Sequence, residues 1–265
     1  MRPPARSRRT QARSLTAFGV PFTVAVQEPS LWAQIEPLLP PGTEAGDDGG
    51  PEFTLTRGAG DYWNVAIAGE SWVHNVEIDV ALLALDQQIR LHVAAHAPDA
   101  IFVHAGVVAV DGRAIAIPGE SFTGKTTLVR ALLDAGATYY SDEYAVMTPE
   151  GVVLPYPRPL SIRTVTGERM HEHAADGIAT GGGHSARLAL VAIAHYEPGA
   201  SWEPVPCGTG DGIVALIANT VPARARPREA LATLTRATAE TVFLRGARGE
   251  AAPAAQALLD TLAER

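Results

Sequence analysis

Residues 119–126 read Gly119-Glu120-Ser121-Phe122-Thr123-Gly124-Lys125-Thr126, a complete Gly-x-x-x-x-Gly-Lys-Thr pattern. Both flanks match what that motif requires. Upstream, Ala114-Ile115-Ala116-Ile117 is a short apolar run that predicts a buried strand. Downstream, Thr127 to Ala135 predicts a helix, with Gly136 placed as its C-terminal cap. Strand, glycine-bracketed loop and helix together make a phosphate cradle: the glycines let the backbone turn its N–H groups inward, and the helix start adds partial positive charge. On this reading residues Gly119 to Thr126, with Thr127 after them, line the cradle. Lys125 reaches the β- and γ-phosphates, and the Thr126 hydroxyl ligates Mg²⁺. A glycine-containing turn that matches by chance is the alternative, and both flanks speak against it. Lys125 is also the only lysine in the chain, every other strong base being arginine. A compact ammonium suits a phosphate site differently from a planar fork. The expectation is a binder of ATP and Mg²⁺. GTP or pyrophosphate stays open as donor, because the cradle reads phosphates rather than a base.

A length of 265 residues fits one large domain, or a main domain with a smaller companion. Hydrophobic residues make up 46% and charged residues 19%, enough apolar material for a packed core. No apolar run reaches the ~18 residues of a membrane helix, so no membrane partner is expected. The single cysteine, Cys207, excludes an intramolecular disulfide and, with no activating base near it in sequence, reads as incidental. Its isolation agrees with a reducing cytoplasm. A net charge of −8 argues against a nucleic-acid partner, which would call for a basic face. The first fourteen residues are the local exception, with Arg2, Arg6, Arg8, Arg9 and Arg13 and no acid. No apolar core follows them as in a secretory signal. Residues 1–15 are therefore read as a disordered basic tail, with a docking arm as the alternative.

Residues 16–98 are expected to form a small α+β region. Strands are predicted at 22–26, 53–56, 63–68 and 72–74, and a short helix at 30–35. A longer helix runs from Ile78 to Ala97, in which Ile78, Leu82, Leu85, Ile89 and Val93 share one face before Pro98 ends it. This region names no chemistry by itself; packing support or substrate docking are the roles it suggests. From residue 99 the pattern changes. Ile101 to Val110 reads as a strand, Asp111-Gly112 as a two-residue hairpin turn, and Arg113 to Ile117 as the arm that runs into the cradle.

Beyond the cradle helix, Thr138 to Ser141 is a short strand that delivers Asp142-Glu143. Adjacent acids at a strand end suit magnesium binding and proton transfer beside a triphosphate, a solvated turn being the alternative. A hairpin over 144–154 and a proline-rich extended segment to Arg163 follow. Residues 164–186 read as a loop. His171-Glu172-His173 and His184 within it lack the His-Glu-x-x-His spacing, so a substrate-facing loop is preferred to a metal site. A strand at 188–194, a segment at 212–219 left between helix and strand, a helix at 227–238, a strand at 241–244 and a helix at 253–263 complete the chain.

Residues 101–163 resemble the catalytic domain of the HPr kinase/phosphorylase family and its smaller kinase-like relatives. The resemblance rests on His104, fifteen residues before Gly119; on the hairpin and the Gly-x-x-x-x-Gly-Lys-Thr loop; and on the acidic pair that begins seventeen residues after Lys125. Tyr156-Pro157-Arg158-Pro159-Leu160-Ser161 also looks like the kinase-like relatives, and a weaker similarity runs on to the C-terminal strand and helix. It implies an α/β nucleotide domain of the HPr kinase/PEP carboxykinase type over residues 99–265, with a mixed sheet. It further implies an ATP-dependent kinase that transfers the γ-phosphoryl group to a hydroxyl, with serine the expected one, in a peptide, a protein or a small molecule. In that family the first acid of the pair is the catalytic base with the histidine beside it, roles that map onto Asp142 and His104. Lys125 holds phosphates, and Thr126, Asp142 and Glu143 hold Mg²⁺. Arg158 or Arg163 would neutralise charge on the transferred group. Because small relatives tailor ribosomally made peptides, lasso peptides among them, or phosphorylate free serine, such acceptors are the expected ones.

Three departures are visible. Glu143 stands where the family usually has a second aspartate. Phe122 and Thr123 make the loop bulkier. The Glu-Ile-Arg-Gly signature is matched only in part by Ser161-Ile162-Arg163, so phosphorylase activity and HPr as substrate are not carried over. The missing signature supports one rival reading, a catalytically silent nucleotide-binding regulatory or scaffold module. A homo-oligomer is compatible with either.

Overall fold

In the computed structural model, which describes residues 10–119, 124–163, 169–172 and 184–264 (the backbone alone at 161–163 and 169–172), the chain divides between Pro98 and Asp99 into two units. The first begins with a hairpin. Strands β1 (Gln11–Ala17) and β2 (Val20–Val26) turn through Phe18 and Gly19, which lie at φ of 50° and 73°. Residues 11–15 are thus a strand rather than part of a tail. Leu15 and Ala17 point into the core, while the Arg13 guanidinium lies 4.0 Å over the Trp32 ring and reaches Glu36 Oε1 at 2.6 Å. The charge that suggested disorder is neutralised locally by an aromatic face and a carboxylate.

After two short 3₁₀ turns around α1 (Trp32–Ile35) come β3 (Glu44–Ala45), β4 (Glu52–Arg57), β5 (Trp63–Ile67) and β6 (Glu70–Val76). They form one sheet in the order β3-β1-β2-β4-β5-β6, in which only the β2–β4 pair is parallel. Helix α2 (Ile78–His96) buries Leu82, Leu85, Ile89 and Val93, as their spacing requires.

The second unit opens on β7 (Ile101–Val110) and β8 (Arg113–Pro118), joined through Asp111 and Gly112 at φ of 50° and 72°. Two successive left-handed residues make the tight turn whose twist matches an antiparallel pair. Then follow α3 (Lys125–Asp134), β9 (Thr138–Ser141), β10 (Tyr144–Met147), β11 (Val152–Leu154), β12 (Leu160–Arg163) and β13 (Arg169–Glu172). The chain closes with β14 (Ala186–Tyr196), β15 (Val205–Pro206), α4 (Thr209–Ala218), α5 (Pro227–Ala237), β16 (Val242–Arg248) and α6 (Ala251–Ala263). The undecided segment 212–219 is helical. Within 164–186, which read as a loop, residues 169–172 form a strand on β12; Arg169-Met170-His171-Glu172 has no apolar face to announce it.

The main sheet runs β11-β10-β7-β8-β14-β16-β15, with β9 also paired to β7. Antiparallel β7 flanks β8 on one side, and β14, parallel to both β8 and β16, flanks it on the other. Because the side chains alternate, each face carries its own core. Val103, Ala105 and Val107 pack with Leu216, Leu234 and Phe243, on the side of α4 and α5. Val108, Ile115 and Ile117 pack with Leu128, Leu132, Ala255 and Leu258, on the side of α3 and α6. The unit is a three-layer mixed α/β sandwich. Among the described residues, no helix is long and apolar enough to cross a membrane.

Candidate functional site

The end of β8 and the start of α3 come together where the glycine-bracketed loop lies. The Gly119 amide donates to the His104 carbonyl at 3.2 Å, which ties the end of β8 to β7. Gly124 caps α3 at φ 81°, a left-handed conformation that a Cβ would strain. From the first residue of α3, Lys125 Nζ folds back to donate to the Gly119 carbonyl at 2.5 Å, so the ammonium spans the two ends of the loop. Glu120, Ser121, Phe122 and Thr123 lie outside the described residues. Thr126 Oγ1 donates to Asp142 Oδ2 at 2.8 Å, and Thr127 is exposed.

Asp142 is held by a local device. The Ser141 hydroxyl, fully buried, accepts from the Glu143 amide at 3.1 Å and the Tyr144 amide at 2.9 Å, which closes the turn after β9 and aims the acidic pair. Asp142 Oδ2 takes the Thr126 hydroxyl, whereas Oδ1 is buried with no hydrogen-bond partner among the described residues. An unpaired buried carboxylate oxygen is costly, since the ion has left water without full replacement. Burial accordingly pushes the Asp142 carboxyl up to about 7, and the charge of Glu143 adds to the rise. The Thr126 hydrogen bond and the Lys125 charge oppose it. Gly106 makes this packing feasible: a Cβ there would stand 2.5 Å from Val129 Cγ2 on α3 and 3.9 Å from Asp142 Oδ1.

Glu143 turns outward. His104 Nδ1 lies 3.9 Å from Glu143 Oε1, with the two side chains 42% and 37% exposed. The imidazole rests on the Tyr144 ring at 4.8 Å between centroids, and Tyr144 in turn packs edge-on against Phe102 and Tyr156. The carboxylate beside His104 is therefore Glu143, adjoining the one that Thr126 holds. Tyr139, buried beneath the turn, donates its hydroxyl to the Arg158 carbonyl at 2.8 Å. Burial first, then the Asp142 charge, raises its pKa, while the Arg158 charge works the other way. Arg158 thus stands near the site through Tyr139. Arg163 ends β12, paired with Arg169.

Among the described residues no group of three or more His, Cys, Asp or Glu side chains converges as a metal cage. His171 and Glu172 lie on β13, the His184 carbonyl accepts from the Tyr140 hydroxyl, and His173 lies outside the described residues. The Thr126 hydroxyl and the orphaned Asp142 oxygen, with Glu143 adjoining, are a hard oxygen set instead. They fit Mg²⁺, which takes one or two carboxylates and completes its shell from phosphates and water.

Ser141, Gly106 and Arg248 were not singled out by the motif. A serine opening Ser-Asp-Glu after a strand carries a turn signal, and Ala105-Gly106 is a small-residue step opposite a helix. Arg248, 124 residues from Gly124, whose carbonyl takes its Nη2 at 2.7 Å, carries no sequence signal at all. A cavity of about 330 Å³ lined by Arg113, Arg187, Glu240 and Leu262 opens at the other end of β8, β14 and β16, away from these groups. No protein-family model matches the chain, and a search of curated proteins returns no match.

Proposed function

We propose that this chain is a cytoplasmic, ATP-dependent and Mg²⁺-requiring kinase with a P-loop domain of the HPr kinase/PEP carboxykinase type. It passes the γ-phosphoryl group to a hydroxyl, of serine or a serine-like acceptor, on a peptide, a protein or a small molecule. The observation that carries the reading is Asp142: one oxygen bound by the cradle threonine, the other buried and unpartnered, with a proton affinity near neutrality. A general base works best with its pKa close to the working pH.

Bound phosphates would offer Lys125 a stronger partner than the Gly119 carbonyl, and the amides at the start of α3 would add their dipoles. Thr126, Asp142 and Glu143 would hold Mg²⁺, which would supply positive charge against the phosphates. Asp142 then accepts the proton of the acceptor hydroxyl as the new O–P bond forms and the bond to the ADP oxygen breaks. His104, 3.9 Å from Glu143, tunes and orients that second carboxylate. Arg158 and Arg163 are the candidate cations for the transferred group.

The test is transfer of isotopically marked γ-phosphate from Mg·ATP to serine, serine-containing peptides and small hydroxyl acceptors, followed by mass spectrometry. Label on an acceptor, lost in Asp142→Asn while ATP still binds, is the expected result. ATP binding with no labelled product across the panel would instead mark a silent nucleotide-binding module, and absence of ATP binding would remove the cradle reading altogether.

A further inference from the structure

Two strands parallel to β8, its neighbour β14 and then β16, end on the same side of the sheet as β8 does. Val191 of β14 pairs with Ala116 of β8, so Tyr196 lies three residues beyond the level at which Pro118 delivers the loop. Arg248, the last residue of β16, pairs with Tyr196. Paired residues on parallel strands share a face, and here it is the face of Ala192 and Leu244, toward α3 and α6. Tyr196 and Arg248 therefore stand side by side next to the start of α3.

Their contacts differ sharply. Arg248 is 3% exposed. Its Nη2 donates to the Gly124 carbonyl at 2.7 Å, its Nη1 donates to the Gly249 carbonyl at 2.9 Å, and its guanidinium carbon lies 5.4 Å from the Tyr196 ring centroid. A Cβ on Gly124 would fall 2.4 Å from Arg248 Nη2 and 3.7 Å from Tyr196 Cβ, so the loop glycine, the cation and the aromatic are in mutual contact. Yet Tyr196 itself is 50% exposed. One flank of its ring is fixed against a buried cation while the rest faces solvent beside the cradle.

Position decides what such a ring would meet. The proton-accepting carboxylate, Asp142, stands on the β7 and β9 side of β8, so the phosphate to be transferred must point that way. The rest of a nucleotide then extends to the opposite side, over the ends of β14 and β16. Ligands of open sheets sit at the carboxyl ends of the strands, and this is that end for all three parallel strands. We propose that Tyr196 is the platform on which the nucleobase stacks. Arg248 is a positioning residue that holds both the ring and the Gly124 turn. The inference rests on the nucleotide reading given above and adds to it where the base goes.

The experiment compares Mg·ATP with Mg·tripolyphosphate, which has the phosphates and no base, by titration calorimetry on the wild type, Tyr196→Ala and Tyr196→Phe. Base–aromatic stacking lost on truncation to alanine predicts about a 5- to 150-fold weaker ATP affinity in Tyr196→Ala. Tripolyphosphate should change by less than about twofold. Tyr196→Phe keeps the ring and should keep the ATP affinity. Loss of both ligands in equal measure, or of neither, overturns the platform. A wild type that binds tripolyphosphate as tightly as ATP also overturns it but leaves the cradle standing, whereas a wild type that binds neither removes the cradle and the platform together.

Discussion

Asp142 is a stability liability that should be measurable without any substrate. Its carboxyl is raised from 3.8 to about 7 by burial, so in the pH interval between those values the folded protein holds a proton that the unfolded chain has released. Stability must then fall as pH rises through that window, with a limiting slope of about 1.4 kcal/mol per pH unit. Integrated over roughly three pH units the ceiling is about 4 kcal/mol. Partial solvent access and rearrangement of Lys125 reduce it, and about 2 kcal/mol is the expected loss by pH 8. Asp142→Asn removes the titration and retains an oxygen to accept the Thr126 hydroxyl. The variant should match the wild type near pH 4.5 and exceed it increasingly up to pH 8. Urea unfolding read by hydrogen exchange in β7 and β8 isolates the second unit, where the difference must appear. A stability difference that stays constant from pH 4.5 to 8 would refute the raised pKa and the burial argument behind it.

Catalysis should carry the same signature with opposite sign. With Asp142 as the proposed base its carboxylate is the active form, so kcat/KM should rise with pH to a plateau with a midpoint near 7, and a flat profile from pH 5.5 to 8.5 would exclude that role. Gly106→Ala places a Cβ 2.5 Å from Val129 Cγ2 and should cost about 1–3 kcal/mol; Val129→Ala in the same chain should recover part of it, which a double-mutant cycle in thermal melts reads directly. Arg248→Lys cannot donate to the Gly124 and Gly249 carbonyls with one rigid fork and should destabilise by about 1–3 kcal/mol, a melting-temperature drop of several degrees; an unchanged Tm would mean the fork is not needed.

What was legible in the sequence is what local chemistry dictates. Asp111-Gly112 predicts a hairpin because two left-handed residues suit that turn, and the 78–96 helix follows from apolar spacing; both are present. The resemblance implies that Thr126 and the acidic pair lie together, and the Thr126 hydroxyl meets Asp142 at 2.8 Å. Where tertiary partners decide, reading failed. The start of β1 reads as tail because it continues the arginine-rich stretch from Arg2 to Arg13, and only Trp32 and Glu36 reveal how Arg13 is accommodated. The segment 209–218 could be placed only once Gly212 was seen under the Phe243 ring, a contact across thirty-one residues that no periodicity encodes.

The arrangement around β8 explains why the candidate site lies at that end of the strand and not at the cavity beside Arg113 and Arg187. β8 is the strand at which the sheet changes from antiparallel to parallel neighbours. On its antiparallel side, the turn after β9 returns toward β10 at the level of the loop, so short-range turn chemistry at Ser141 suffices to aim a carboxylate at Thr126. On its parallel side, β14 and β16 can reach that level only through crossover connections, so what they bring, Tyr196 and Arg248, is far away in sequence. The end of such a strand has a buried carboxylate on one flank and a cation-backed ring on the other. On the proposed reading, topology divides proton transfer from base recognition: Asp142→Asn should abolish transfer while ATP still binds, and Tyr196→Ala should weaken ATP binding first.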